Sequence, residues 1–221
     1  MENQMVSLND MLGAIGIVLL IALVWRFASR RHTLPCPVWL RWLVELDNPF
    51  TRTNRAAFIV ESLGPVAGMR ILDAGCGPGR LTLPLARGVG PSGRVVAVDI
   101  QAGMLERTRA KTEAEGLTNV DFLQAGIGEG ELPRGFFDKA LLVTVLGEIP
   151  DRAAAFSELF DALMPGGTLT VVEVIFDPHF QPRRIVTGLA YDAGFREKAF
   201  FGRRLAYIIH FEKPLDGLKA R

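Results

Sequence analysis

The ten residues Ile71-Leu-Asp-Ala-Gly-Cys-Gly-Pro-Gly-Arg80 set the tightest constraint on this chain. A short apolar run ends in an acid, glycines follow at Gly75, Gly77 and Gly79, and Leu81–Ala86 reads as the start of a helix. Glycines at a strand-to-helix turn let the backbone bend sharply and let a ligand approach the main chain with no Cβ in the way. About twenty residues further on, a second apolar run, Val95–Val98, ends in Asp99, where an acid can accept both hydroxyls of a ribose. Turn and acid together predict a nucleoside-bearing ligand at the ends of adjacent parallel strands.

The glycine spacing is D-x-G-x-G-x-G rather than G-x-G-x-x-G. A dinucleotide site places a pyrophosphate on the helix N-terminus, and its third glycine lies where helix and strand pack. Here Pro78 and Arg80 flank the third glycine and Asp73 precedes the first, an arrangement better suited to a cationic cofactor. Three segments resemble, in order and spacing, the class I S-adenosylmethionine (SAM) dependent methyltransferases, in the small-molecule branch that includes the ubiquinone/menaquinone-biosynthesis and phospholipid enzymes. They are Leu72–Gly79, Val96–Leu105 and Leu163–Leu169, and the resemblance covers residues 50–212. It implies an α/β, Rossmann-like methyltransferase fold: a mostly parallel seven-stranded sheet with an antiparallel edge hairpin.

The pattern of the rest agrees with that architecture. A helix over Arg55–Leu63 leads into a strand at Arg70–Ala74. Strands at Arg94–Val98, Val120–Leu123 and Lys139–Thr144 follow, with a helix at Ala102–Glu115 between the first two. Such alternation predicts a parallel sheet with helices on both faces. Asp151 caps the next helix, whose Phe156, Leu159, Phe160 and Leu163 recur at helical spacing, and Pro165-Gly166-Gly167 ends it. A strand at Thr168–Val174, a helix near Arg184–Ala193 and a hairpin of Arg196–Phe201 and Leu205–Phe211, split at Gly202, complete the domain.

The resemblance assigns cofactor roles to particular residues. Gly75, Gly77 and Gly79 bring backbone against the methionine part of SAM, and Asp73 faces its amino end. Asp99 takes the ribose hydroxyls, Ile100 packs on the adenine with Met104 nearby, and Ala125, Gly126 and Ile127 line the ring. Thr144 is carried in by the fourth strand. Gly126 stands where relatives often have an Asp for the adenine amino group; Glu129 is an acid near enough to substitute, although three positions late. On the acceptor side, Glu148 either orients a cationic or hydroxyl acceptor or salt-bridges a loop. His179 either takes a proton or is a surface-loop histidine. Arg183 and Arg184, with Arg203 and Arg204, either meet a phosphate headgroup or form a solvated face.

The first 49 residues are of a different kind. Met11–Trp25 contains no charge over 15 residues, ~22 Å of helix against a ~30 Å hydrocarbon core. Phe27–Ser29 extend it if Arg26 snorkels. Arg26, Arg30 and Arg31 put its C-terminal side in the cytoplasm. Pro35–Leu46 carries Trp39 and Trp42 and reads as an interfacial helix, or as one that packs on the following domain. The expected organisation is an N-terminal transmembrane helix over 1–31, an interfacial helix or linker over 32–49, and a catalytic domain over 50–221.

Balance elsewhere removes other classes. The net charge is +1, without the basic excess of a nucleic-acid binder. The two cysteines, Cys36 and Cys76, do not read as a disulfide framework, since Cys76 lies inside the glycine turn. His32, His179 and His210 lack metal-ligand spacing, so no metal site is expected. The reading is a single-pass, membrane-anchored SAM-dependent methyltransferase with a cytoplasmic domain, acting on a lipophilic or lipid acceptor such as a phospholipid amine or a quinone-like ring. Two alternatives stay open: a methyltransferase for a membrane-partitioning thiol or xenobiotic, and a non-catalytic SAM-binding membrane module.

Overall fold

The computed structural model describes residues 51–215, together with Gly13, Gly16 and Leu20, which are helical and exposed. The remainder of Met11–Trp25, and all of Pro35–Leu46, lie outside the described residues. Among the described residues no helix is long and apolar enough to cross a membrane.

Residues 51–215 alternate strand and helix as the sequence pattern predicts. A 3₁₀ turn, Arg52–Asn54, leads into α1 (Ala56–Leu63) and β1 (Arg70–Ala74). Then come α2 (Thr82–Val89), β2 (Arg94–Asp99), α3 (Ala102–Ala114), β3 (Val120–Gln124) and β4 (Phe137–Val143). A second 3₁₀ turn, Leu146–Glu148, precedes α4 (Arg152–Ala162), β5 (Leu163–Val174), α5 (Arg183–Ala193), β6 (Arg196–Arg203) and β7 (Ala206–Glu212). The strands form one seven-stranded sheet in the order β3-β2-β1-β4-β5-β7-β6. β3, β2, β1, β4 and β5 are parallel, and β7 runs antiparallel between β5 and β6.

The central strands read as unbroken apolar runs because helices cover both of their faces. Consecutive residues therefore enter opposite cores. Leu72, Leu142 and Ile209 pack with Phe156 and Phe160 of α4 and Ala190 of α5. Their neighbours Ile71, Leu141 and Ile208 pack with Ile59 of α1 and Leu85 of α2. Asp151 caps α4 as expected, its carboxylate accepting from the Ala154 amide at 2.9 Å.

Two boundaries differ from the sequence expectation. α4 stops at Ala162, and β5 begins at once with Leu163 opposite Phe137, the register shifting before Lys139 pairs with Thr168. Pro165-Gly166-Gly167 is thus an irregularity within a strand, with Gly166 at φ +80°, rather than a helix stop. At the edge, Gly202 does not split the hairpin. It lies inside β6 at φ +101°, where a Cβ would come within 2.3 Å of the Ala206 carbonyl oxygen, and the turn falls at Arg204–Leu205.

Candidate functional site

In a doubly wound sheet, ligands bind beyond the C-terminal ends of the strands where the strand order reverses. Here chain order runs outward one way from β1 to β3 and the other way from β4, so the crevice lies between β1 and β4. The glycine turn follows β1, and the Thr144–Glu148 segment follows β4, at that point. They meet closely: a Cβ on Gly75 would stand 2.4 Å from Val145 Cγ2, and Gly75 holds φ +72°. No side chain is tolerated there on either ground.

The turn is tied down from several sides. Gly75 and Cys76 both donate backbone N–H to the Val98 carbonyl, at 2.8 and 2.9 Å. Thr108 Oγ1 donates to the Gly77 carbonyl at 2.8 Å and Lys111 Nζ to that of Pro78 at 2.8 Å, so α3 grips the loop. Gly79 has φ +83°, and a Cβ on it would press on Thr108 Cγ2 at 2.7 Å. Arg80 donates to the Asn54 carbonyl at 2.7 Å, which draws the leading segment over the turn.

Asp99 works harder than its sequence position implies. One carboxylate oxygen accepts from the Gly77 amide at 2.9 Å and the other from the Gln101 amide at 2.9 Å. The residue is only 9% exposed, and burial raises its pKa while those two amides hold it down. It therefore positions the glycine turn and ties it to the start of α3. Asp73 is 3% exposed and accepts from Thr82 Oγ1 at 2.6 Å. Burial pushes its pKa up to about 6, against that hydrogen bond and Arg80. A buried carboxylate poised near neutrality gains from a nearby cation.

Ile100 is 59% exposed at the end of β2, an apolar face free to take a flat ring, whereas Met104 is 2% exposed and belongs to the packing beneath. Ala125 and Gly126 are half-buried and Ile127 buried, just past β3. The Glu129 side chain folds back: its Oε2 accepts from the Gly126 amide at 3.1 Å, and Oε1 lies 2.5 Å from where a Gly126 Cβ would be. The three-residue offset in sequence is cancelled in space. A carboxylate stands where a side chain at position 126 would begin.

On the acceptor side the structure brings the two candidate catalytic residues together. His179 Nδ1 lies 3.7 Å from Glu148 Oε1 and 3.9 Å from Asp177 Oδ1. The β5–α5 loop presses directly on the segment after β4, for a Cβ on Gly147 would overlap the His179 carbonyl at 2.0 Å. His179 is 4% exposed, not a surface-loop histidine, and its Nε2 has no partner. Thr144, at φ +55°, is the only non-glycine residue with positive φ among those described, and its Oγ1 donates to the Val143 carbonyl at 2.7 Å. Such strain costs on the order of 1–3 kcal/mol and clusters at functional sites.

Glu173, which the sequence brings to the acceptor side at the end of the fifth strand, has no role assigned to it by type or motif. It is 1% exposed, with Oε2 accepting from the Gln181 amide at 2.8 Å and Oε1 unpartnered. Burial pushes its pKa to about 8, so it carries its proton at neutral pH. A lone acid ending an apolar strand, Val171-Val-Glu-Val174, was the available signal. Arg183 pairs with Glu197 at 2.7 Å and lies over the Phe200 ring, while Arg184, Arg203 and Arg204 are exposed. The Cys76 thiol is buried, and that burial raises its pKa.

Known proteins place this geometry. Residues 71–167 match the family model of a methyltransferase domain. The demethylmenaquinone methyltransferase of Lactococcus lactis is 35% identical over 114 residues, 52% of this chain and 45% of that protein. A ubiquinone/menaquinone biosynthesis C-methyltransferase of Vibrio vulnificus is 36% identical over 125 residues, 55% of this chain and 48% of its own. The chain thus spans about half the length of the curated relatives it matches. Among solved structures, a SAM-dependent methyltransferase of Aquifex aeolicus superposes with TM-score 0.71 at 20% identity, over 81% of this chain and all of that one. The geranyl diphosphate C-methyltransferase of Streptomyces coelicolor, in complex with S-adenosylhomocysteine, superposes with TM-score 0.64 at 15% identity, over 72% of this chain and 78% of that one. At those identities the superpositions speak for the fold alone. The glycine turn and the Asp99 carboxylate both lie within the stretch 71–167 that is similar to a methyltransferase domain.

Proposed function

We propose that this chain methylates a lipophilic ring acceptor of the quinol kind at a membrane surface. The observation that carries the reading is the buried His179 beside Glu148, with Nε2 unpartnered, beyond the C-terminal ends of the neighbouring strands β5 and β4. SAM supplies an electrophilic methyl group on a sulfonium. Methylation of an aromatic carbon or of a protonated amine releases one proton for each methyl transferred. In this reading His179 takes that proton at Nε2, with the Glu148 and Asp177 carboxylates stabilising the imidazolium that forms. Glu173, protonated and unpartnered at Oε1, is a hydrogen-bond donor for an acceptor oxygen. Gly75, Gly77, Gly79, Asp73, Asp99, Ile100, Ala125, Gly126, Ile127 and Thr144 hold the cofactor in this reading; Met104 supports from below.

The relatives named for menaquinone and ubiquinone biosynthesis favour a quinol ring over a phospholipid amine. The uncharged run Met11–Trp25 favours a membrane-borne acceptor, with residues 1–31 as a single-pass anchor, 32–49 as an interfacial linker and the domain in the cytoplasm. The experiment is transfer of labelled methyl from SAM into a total membrane extract, with mass spectrometry of the product. A label on a prenylated ring carbon is the expected result. A label on a phospholipid headgroup or a small thiol would replace the acceptor, and no label with retained SAM binding would leave a binding module.

A further inference from the structure

The end of the sheet that holds the crevice also carries an unusual lip. Phe176, in the β5–α5 loop, is 66% exposed; Leu205, in the β6–β7 turn, is 53% exposed; Ile185, in the first turn of α5, is 47% exposed. The loop and turn are joined, the Ile175 amide donating to the Leu205 carbonyl at 2.7 Å. β6 runs parallel to β5, so its tip lies at the same end as the β5 C-terminus and the crevice. Arg184, Arg203 and Arg204 are exposed there and make no ion pair within the described residues. The nearby acids are engaged: Glu197 with Arg183, and Asp177 with the His179 amide at 2.6 Å. The chain also enters the domain at this end, since a Cβ on Gly202 would stand 2.8 Å from Thr53 Cγ2 and Asn54 accepts from Arg80.

Apolar tips ringed by unpaired arginines suit one environment. Apolar side chains dip below the headgroups while guanidinium groups meet lipid phosphate. We infer that Phe176, Leu205 and Ile185, with Arg184, Arg203 and Arg204, form a docking lip for an anionic lipid surface. The lip presses the mouth of the acceptor crevice onto the bilayer. An acceptor then passes from lipid to His179 without crossing water. The inference deepens the proposal of a membrane-borne acceptor but does not require that residues 1–31 span.

The test uses the full chain with Cys36→Ser and a fluorophore attached through Phe176→Cys or Leu205→Cys. The control is Val66→Cys, 57% exposed in the loop before β1 at the opposite end of the sheet. Vesicles of phosphatidylcholine with an equal part of phosphatidylglycerol carry a lipid-borne quencher. Quenching at 176 and 205 but not at 66, and its loss in pure phosphatidylcholine, is the expected result. Each arginine near an anionic surface is worth roughly a factor of five. Arg203→Gln with Arg204→Gln should therefore lower the docked-to-undocked ratio of the lip roughly thirty-fold. Equal quenching at all three positions, no quenching at 176 and 205, or indifference to the arginines overturns the inference. Calorimetry with SAM on the same chains reports on the methyl-transfer reading separately.

Discussion

Asp99→Asn isolates the double duty of one carboxylate. In the folded protein its two oxygens accept from the Gly77 and Gln101 amides, both at 2.9 Å, with outer lone pairs left for ribose hydroxyls. An amide in the same volume offers one oxygen and turns an N–H₂ toward one of those donors. One charge-assisted hydrogen bond is lost inside the protein, about 1.5–3 kcal/mol. A domain of this size shifts by about 2–4 °C per kcal/mol, giving a fall of roughly 3–12 °C in melting temperature. On the ligand side, loss of one similar bond weakens SAM roughly 10- to 150-fold. Titration calorimetry and scanning calorimetry on one preparation read both quantities. Thr108→Val provides the comparison, because it removes the hydroxyl that holds the Gly77 carbonyl at 2.8 Å without opening a cavity or touching the ribose position. It should cost stability and leave SAM affinity largely intact. Should Thr108→Val weaken SAM as much as Asp99→Asn, the carboxylate acts only by ordering the turn. If Asp99→Asn changes neither quantity, its place in the site is wrong.

The remaining expectations concern other parts of the same crevice. His179→Gln should lower methyl incorporation by roughly 10²–10⁴ with SAM affinity unchanged, and Glu148→Gln less so; unchanged turnover in both would mean that placement alone drives transfer. Glu129→Ala removes the carboxylate that lies beside Gly126, and should weaken SAM but not S-adenosyl analogues lacking the adenine amino group, as read by competition. Glu173 has its folded pKa raised to about 8 from an ordinary 4.5, so its contribution to stability is fully present below about pH 4.5 and is lost as pH rises through 8. Glu173→Gln, which stays neutral, should flatten the decline in melting temperature between those limits, and an unchanged slope would assign it to other groups. Deleting residues 1–31 should move the chain from the membrane to the soluble fraction while SAM still binds; a truncated chain that binds no SAM would make that segment part of the fold.

Much of this protein is determined locally. The apolar runs of β1 and β2, the acids that end them and the glycines at positive φ are all near neighbours in sequence. Their spacing is dictated by a strand-to-helix turn that must admit a ligand to the backbone. That is why the central strands and their parallel order were legible from the residues alone, and why Asp73, Gly75, Gly77, Gly79, Asp99 and Ile100, proposed for the cofactor, all fall at the ends of β1 and β2. Tertiary structure decided whatever depends on where separate segments meet. Asp99 binding the Gly77 amide joins residues 22 apart, and His179 meeting Glu148 depends on β4 and β5 being neighbours. Glu129 reaches the position of a side chain at Gly126 only because its loop folds back. Glu173 acquires its proton from burial between two helical layers, which composition does not encode. Gly202 looks like a hairpin turn in sequence, yet it is the next-to-last residue of β6, where a Cβ would meet the Ala206 carbonyl oxygen and Thr53 Cγ2, the latter a contact that exists only once the leading segment lies on the sheet.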